Sequence, residues 1–268
     1  NGPMYHFSGR FVDCAVTPNH RMYVRGYGWQ KDWGFREAED LVRFGDDGVI
    51  GCRFAVRQFG FTPDVVKDDG RKFVFDGVAL CWDDYAELVG WWASEGYTRL
   101  TKRRAYVMIY QSQSANPHHF QTIESLLRRT GLRWHYYRVG DAKMGFGISS
   151  RELAAHLREY GTHSHNKRLP RDVLEAPLPA RKRCLSAMIC GDGHRYSTRH
   201  GNVAGYTTTS QQLAADFQEL CVRTGSGAIV YRCKPRGKSH HKQVWHCGVA
   251  VARTLAQVDG DRNKKSTT

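Results

Sequence analysis

The sequence has no uninterrupted apolar run of roughly 18 residues, the length that a membrane-spanning helix needs. Its first residues, Asn1-Gly2-Pro3-Met4, show neither the basic nor the apolar segment of a secretory signal. We therefore expect no membrane partner. The pattern predicts an intracellular, cytoplasmic protein, associated with the nucleoid in a prokaryote or a phage-infected cell.

Close pairs of metal-binding residues are also missing. None of the eight cysteines belongs to a Cys-x-x-Cys motif, the usual signature of a structural zinc site. The adjacent histidines at His118-His119 and His240-His241 have no histidine or cysteine partner at ligand spacing. The sequence therefore predicts no dedicated transition-metal site, and the cysteines are interpreted as small buried thiols.

Acidic residues are scarce relative to basic ones: 26 Asp and Glu stand against 40 Lys and Arg, a net charge of +14. Such an excess is typical of nucleic-acid binders, and basic strands fit the major groove of duplex DNA. We predict double-stranded DNA as the partner. The candidate DNA contacts are Arg99, Lys102, Arg103, Arg104, Gln111, Gln113, Arg138, Lys143, Arg195, Arg199, Thr208, Arg232, Lys234, Arg236 and Lys238. Of these, Arg104, Arg195 and Arg232 are expected to read bases.

The chain after residue 80 repeats one order of elements: helix, two strands, helix, two strands. The first helix is predicted to begin at Asp83 and to end at Glu95, and its counterpart to cover Ala180–Cys190. The middle helices, 117–130 and 211–224, both end in Arg-Thr-Gly. Glu95 and Asp192 are separated by the same 97 positions as Phe120 and Phe217. The pattern predicts two similar halves, 81–170 and 171–268, after a separate region 1–80.

Each first helix is followed by glycine and ends in a carboxylate, at Glu95-Gly96 and at Asp192-Gly193. Glycine is a common helix stop, but a carboxylate at a helix C-terminus meets the unfavourable end of the dipole. A positive group should therefore lie nearby. Small residues line one side of each helix, Gly90 and Ala93 in the first and Ala187 and Cys190 in the second. If these sides pack together, the two carboxylates meet, and a divalent cation would balance their charge.

Residues 88–96 (LVGWWASEG) and 185–193 (LSAMICGDG) resemble the two nonapeptides of the LAGLIDADG homing endonucleases. The resemblance implies an α+β fold of two pseudo-symmetric αββαββα halves, with antiparallel sheets forming a DNA-binding saddle. It also implies a monomer that cleaves a long duplex target with Mg²⁺, while Ca²⁺ supports binding without cleavage. The metal would lie at Ser94, Glu95, Gly191 and Asp192. The departure is Glu95, where the motif has Asp.

The same resemblance implies polar or basic side chains beside the metals that order water. Gln111 is the candidate in the first half, and Thr208 lies at the corresponding position of the second. Lys143 and Lys242, each near the start of a last strand, are candidates for supplying positive charge, and Lys242 is taken with Gln111 as catalytic.

A second resemblance concerns the first region. Residues 12–25, with Thr17 and His20 in a Thr-x-x-His pattern, look like a splicing block of inteins, and residues 167–170 (KRLP) look like intein-embedded endonucleases. We interpret residues 1–80 as a β-rich remnant of a Hint-type splicing domain or as a DNA-contacting extension. Because the sequence starts at Asn1 and does not end in His-Asn, self-splicing is not expected. The alternative is that Thr17 and His20 are ordinary turn residues before a strand.

Two alternatives stay open. The first is a protein of the same fold that binds nucleic acid without cleaving it, such as an intron maturase or a regulator. Acids in both halves, and no helix-turn-helix pattern after Ala252, weigh against it. The second is a trimmed self-splicing intein.

Overall fold

The computed structural model describes residues 2–8, 13–26, 33–45, 48–52, 54–56, 68–198, 201–233 and 243–250. The chain forms two compact units, residues 1–58 and 59–268. Each is described below by itself.

The first unit is built from small antiparallel sheets. Strand β1 (Tyr5–Ser8) pairs with β2 (Asp13–Val16), and β3 (Arg21–Gly26) lies between β4 (Trp33–Glu37) and β7 (Phe54–Val56). Strand β5 (Val42–Gly45), which follows a short 3-10 helix (Glu39–Leu41), pairs with β6 (Gly48–Cys52). A small core holds them, made of Phe7, Met22, Val24 and Ala38. The predicted β-rich extension is therefore present.

The Thr-x-x-His segment of this unit is a tight turn between β2 and β3. The backbone N–H of His20 donates to the Thr17 carbonyl at 3.0 Å, and the Thr17 hydroxyl donates to Asn19 Oδ1 at 2.8 Å. Both Thr17 and His20 are exposed. This geometry is that of turn residues, and a splicing ancestry stays a prediction.

The second unit opens with a hairpin of β8 (Phe73–Phe75) and β9 (Val78–Leu80). Asp76 and Gly77 form its turn with positive φ angles of 48° and 81°, the pattern of a type I′ hairpin. Phe73 stacks on Tyr85 with ring centroids 3.8 Å apart. The hairpin precedes residue 81, yet it packs into the main core of the repeated part.

The first half of the repeat contains three helices around one sheet. In chain order they are α1 (Trp82–Glu95), β10 (Gly96–Leu100), β11 (Ala105–Tyr110), α2 (Pro117–Thr130), β12 (Trp134–Val139), β13 (Ala142–Ile148) and α3 (Arg151–Arg158). The sheet is antiparallel in the order β10-β11-β13-β12. Helix α1 begins one residue before the predicted Asp83, and α2 has the predicted bounds.

The second half repeats this arrangement. After the short helix α4 (Arg171–Glu175) come α5 (Leu178–Gly191), β14 (Gly193–Thr198), β15 (Gly201–Thr208), α6 (Gln211–Arg223), β16 (Ala228–Arg232) and β17 (Trp245–Ala250). The sheet order β14-β15-β17-β16 matches that of the first half. A counterpart of α3 would follow residue 250, outside the described residues. The predicted duplication is confirmed for every element up to that point.

Two details of the second half differ from the prediction. The linker between the halves, residues 162–179, contains the short helix α4, which was not predicted from the sequence, and α5 begins at Leu178 rather than at the predicted Ala180. Pro179 lies in the first turn of α5, where its missing N–H costs no helical hydrogen bond.

In the part of the chain that is described, no helix has the length and apolar character needed to cross a membrane.

Helices α1 and α5 pack against each other through small residues at the centre of the core. A Cβ at Gly90 would lie 2.5 Å from the Cys184 carbonyl oxygen and 2.8 Å from the Ala187 Cβ, and one at Gly191 would lie 2.5 Å from the Ser94 Cβ. Gly90 and Ala187, like Ser94 and Gly191, are 97 positions apart. Equivalent residues of the two halves therefore touch, as they must at a pseudo-twofold axis. This confirms the predicted contact for Gly90 and Ala187.

Ion pairs join the same two helices nearer their N-termini. The Arg183 guanidinium of α5 contacts Asp83 at 2.9 Å and Glu87 at 3.2 Å on α1, and Glu87 is also 3.2 Å from Arg129. Glu87 is buried, and burial raises the pKa of its carboxyl against the lowering effect of the two arginines. The two arginines thus balance the charge of a buried carboxylate, and the cluster links α1 to α5 and α2.

Candidate active site and nucleic-acid surface

The two acidic residues lie at the adjacent C-terminal ends of α1 and α5. Glu95 is the last residue of α1, and Asp192 follows α5 as its C-cap. The Ser94 hydroxyl donates to the Met188 carbonyl at 3.2 Å, which ties the last turns together. The prediction that the two carboxylates lie at one end of paired helices agrees with this geometry.

Glycine after each acid lets the chain pass directly from helix into strand. A Cβ at Gly96 would lie 2.8 Å from the Trp92 carbonyl oxygen, and one at Gly193 would overlap the Ile189 carbonyl. Strands β10 and β14 begin at these two glycines. The helix ends are therefore held directly above the edge strands of the sheets, with no loop between them.

Both carboxyls hold protons more tightly than usual. Burial, with the nearby Asp192 charge, raises the pKa of Glu95 from 4.5 to about 7. Packing around the Asp192 carboxyl raises its pKa from 3.8 to about 6, although the residue as a whole stays exposed, and Lys167 acts in the opposite direction. Two acids that repel each other's charge form a place where a bound cation is strongly favoured.

The positive group expected near the acidic helix ends is Lys167. Its side chain is buried, with 3% of the residue exposed, and Nζ donates to three carbonyls at the end of α1: Trp92 at 2.7 Å, Ala93 at 3.0 Å and Gly96 at 2.6 Å. Burial lowers the pKa of the Lys167 ammonium to about 8, while Asp192 and Glu95 raise it. The ammonium satisfies carbonyls that a helix C-terminus leaves open.

The segment that carries Lys167 is fixed by α6 and by the end of α3. The Lys167 carbonyl accepts a hydrogen bond from the Ser210 hydroxyl at 2.6 Å, and the Leu169 N–H donates to the buried Asp216 at 2.7 Å. The Arg168 N–H donates to the Tyr160 carbonyl at 2.8 Å. Sequence reasoning missed Lys167 as a site residue, because only this path of the segment brings it beneath α1. The one sequence signal for this residue was the pair of acidic helix ends, which require a positive charge nearby.

The site opens to solvent on the side of the first half. A cavity of about 730 Å³ extends from Glu95 along β10 to residues 162–165 of the linker. Within the described ranges, no group of three or more His, Cys, Asp or Glu side chains could hold a metal ion. Glu95 lines this cavity, and Asp192 is near enough to raise the Glu95 pKa. Such a carboxylate pair fits Mg²⁺, which keeps several waters and is often bound by one or two carboxylates together with substrate phosphates.

The proposed water-ordering residues lie at matching places. Gln111, just after β11, is buried and its side-chain oxygen accepts from the Asn116 amide at 2.8 Å. Thr208, at the end of β15, is buried and its hydroxyl oxygen accepts from the Ser210 N–H at 3.1 Å. The Lys143 ammonium lies 4.0 Å from the centroid of the Tyr136 ring. Lys242 lies outside the described residues, and the catalytic roles stay predictions.

Most of the candidate DNA contacts of the first half are exposed around its sheet, but Gln111 is buried and Lys143 is half-buried. Arg99 lies on β10, and Lys102, Arg103 and Arg104 form the loop to β11. Gln113 follows β11 and is also exposed. Arg138, on β12, donates to the Asp141 carbonyl at 3.3 Å.

Three candidate contacts of the second half can be placed, and one of them is the buried Thr208. Arg195 is exposed on β14, opposite the buried Ala204, which puts it on the helix-facing side of that edge strand. Arg232 at the end of β16 donates from Nε to Gln243 Oε1 at 2.5 Å. Arg199, Lys234, Arg236 and Lys238 lie outside the described residues. Base reading by Arg104, Arg195 and Arg232 stays a prediction.

A comparison with known protein families identifies the fold of the second unit. Residues 180–258 match the family model described as a LAGLIDADG-like domain. Together with the two four-stranded antiparallel sheets and the two central helices, this match decides the fold. The chain has a LAGLIDADG fold. Helix α5 lies within the matched residues, and α1 occupies the equivalent place in the first half.

Several known proteins are similar to this chain. A curated relative, "ATP-dependent Clp protease proteolytic subunit" of Chlamydomonas moewusii, is 23% identical over 248 residues. The match covers 85% of this chain but only 23% of that protein, so the chain spans about a quarter of its relative's length.

Among solved structures, I-DmoI in complex with DNA and Mn is 10% identical with a TM-score of 0.45, covering 66% of this chain and 94% of that one. The N-terminal LAGLIDADG domain of DUF199/WhiA is 9% identical with a TM-score of 0.41, covering 69% and 84%. I-WcaI bound to its DNA recognition sequence is 12% identical with a TM-score of 0.36, covering 62% and 76%.

Proposed function

We propose that this protein is a LAGLIDADG homing endonuclease that acts as a monomer and cleaves both strands of a long, specific duplex DNA target. The observation that carries the proposal is the pairing of Glu95 and Asp192 at the ends of α1 and α5, beside the buried Lys167. A carboxylate pair on a pseudo-twofold axis matches a reaction that is performed twice, once on each strand. The net charge of +14 suits a DNA substrate.

Glu95 and Asp192 would hold Mg²⁺, with Ser94 and Gly191 in direct contact at the helix crossing. When bound, the metal supplies an activated water and stabilises the leaving oxygen of the phosphodiester. Both carboxyls must be ionised for this role. The Lys167 charge favours their ionised forms, since it lowers the pKa of each.

Residues of the chain itself would position the metal ligands, the attacking water and the DNA. Lys167 holds the end of α1 through three carbonyls, which fixes Glu95 relative to β10. Gln111 and Lys242 are proposed to order the attacking water and to add positive charge. The basic residues around the two sheets would contact phosphates and so place the scissile bonds over the carboxylates. Ca²⁺ in place of Mg²⁺ should support binding alone.

The region 1–80 is proposed to be a remnant of a Hint-type splicing domain. Its support is the residue pattern around Thr17 and His20 and the set of small sheets. The curated relative adds to it, because a match covering most of this chain occupies less than a quarter of a longer protein. Such coverage suits a segment embedded within a host sequence.

The test is a cleavage assay on a randomised duplex DNA library, run with Mg²⁺ and in parallel with Ca²⁺. The expected result is recovery of one family of cut sequences with Mg²⁺ and of the same sequences, bound but intact, with Ca²⁺. Specific binding in both arms without cleavage would replace the endonuclease by a non-cleaving regulator or maturase. No specific duplex in either arm would overturn both.

A further inference from the structure

The open face of the first sheet, on the side away from the helices, is covered by tyrosines. Tyr97 stacks on Tyr110 with centroids 5.9 Å apart, and Tyr110 meets the edge of Tyr137 at 5.5 Å. The Tyr97 and Tyr106 hydroxyl oxygens are 3.0 Å apart. Tyr110 and Tyr137 are 40% and 36% exposed. These four residues form one continuous surface, here called the tyrosine surface.

Glycines in β13 let the rings lie low on the sheet. Gly145 lies between Tyr110 and Tyr137 in the register, and Gly147 lies between Met108 and His135. A Cβ at Gly147 would lie 2.5 Å from the His135 ring, and one at Gly145 would overlap the Ile109 carbonyl at a φ of 154°. The central strand therefore presents no side chain of its own at these two rows, and the aromatic residues fill the space.

The two central rows of this surface contain no charged residue. The two cross-strand rows are Tyr97–Met108–Gly147–His135 and Tyr110–Gly145–Tyr137, and neither contains Lys, Arg, Asp or Glu. Basic residues lie beyond the rows at one end, where Arg99 is opposite Tyr106 and the loop 102–104 follows. Arg138 and Lys143 instead lie over the Tyr136 ring, which stacks on Phe120 on the helix side of the sheet. An uncharged centre with one basic end complements a major groove, where phosphates border the base edges.

The base edge that suits this centre is thymine. Guanine is read by Arg or Lys donors to O6 and N7, and the two rows hold neither. Thymine instead presents its 5-methyl group, which is recognised by apolar contact. We propose that the tyrosine surface reads thymine methyl groups, so that the half-site under the first sheet is rich in A·T pairs. This specificity rests on the proposed DNA endonuclease function.

The second sheet differs at the same places. Residues 97 positions after Tyr97 and Tyr110 are His194 and Thr207. The His194 and His246 rings are 5.1 Å apart, and the Thr207 hydroxyl lies 3.3 Å from His246 Nδ1. The second sheet therefore presents hydrogen-bonding groups where the first sheet presents the faces of tyrosine rings. The methyl-reading surface thus belongs to one half alone, and the target is asymmetric.

The experiment replaces thymine by uracil, which lacks the 5-methyl group and keeps every hydrogen-bonding atom. Wild-type protein first selects its target from a randomised duplex library in Ca²⁺, and affinities are then measured on targets with uracil in one half-site at a time. Burial of one methyl group corresponds to about a 4-fold change in affinity. We expect about that loss for each thymine contacted in one half-site and no change in the other.

Variants assign the half-sites. Tyr137→Ala should remove the uracil effect, and Tyr137→Phe, which keeps the ring, should preserve it. Tyr231→Ala, the matched change on β16, should leave it intact. Circular dichroism and thermal melts establish that each variant is folded. A selected target with G·C pairs at these positions, or uracil without effect in either half-site, overturns this inference alone. Selection of no duplex target, or preference for single strands, overturns the proposed function with it.

Discussion

The substitution Lys167→Met tests whether the buried ammonium stabilises the end of α1, because Met keeps much of the side chain's length and removes its charge. The variant loses three hydrogen bonds, to the carbonyls of Trp92, Ala93 and Gly96. Bonds of a charged donor contribute about 1.5–3 kcal/mol each. Burying the ammonium costs several kcal/mol, which offsets part of this sum. We expect a net loss of about 2–4 kcal/mol in the free energy of unfolding.

The assay is urea denaturation followed by tryptophan fluorescence at pH 7. Lys102→Met is the control, because Lys102 is exposed in a loop, and it should shift stability by no more than about 0.5 kcal/mol. A Lys167→Met protein as stable as the control would refute the role of Lys167 at the end of α1.

Three further predictions concern packing, pH and salt. Gly90→Val should destabilise the fold by about 1–3 kcal/mol in denaturant titrations, because a Cβ there meets the Cys184 carbonyl at 2.5 Å. In metal-free protein, the pKa of Glu95 is about 7 in the folded state, against the ordinary value of 4.5 in the unfolded chain. The contribution of this group to the free energy of unfolding is therefore present below pH 4.5 and is lost as pH rises through 7. Glu95→Gln should therefore raise the melting temperature at pH 8 more than at pH 5, and an equal shift at both would contradict the pKa. If roughly 10 phosphates are contacted, a plot of log K against log salt should have a slope near −9, and a shallow slope would show that the basic residues do not bind DNA.

The repeated architecture could be predicted because it is encoded locally. Apolar periodicity and glycine stops gave α2 its bounds and placed α1 within one residue. The spacing of 97 positions gave the pairing of the halves, and the structure shows equivalent residues in contact at Gly90 and Ala187. Small residues on one face of a helix are a local signal for close packing.

The remaining features depend on tertiary contacts. Lys167 reaches the end of α1 only because Ser210 and Asp216 hold its segment in place. The hairpin at 73–80 joins the main core through Phe73 and Tyr85, which no local pattern reveals. The tyrosine surface likewise required the strand register, since Tyr97, Tyr110 and Tyr137 lie on three different strands.

The central claim is that Glu95 and Asp192 together cut both strands. The most direct measurement compares wild type with Glu95→Gln and Asp192→Asn on the selected duplex, scoring nicked and linear products in Mg²⁺ and affinity in Ca²⁺. Glu175→Gln, an exposed carboxylate on α4, is the control and should cut like wild type. The account predicts that either site variant loses double-strand cleavage and keeps specific binding. Cleavage of both strands at the wild-type rate by either variant would contradict it.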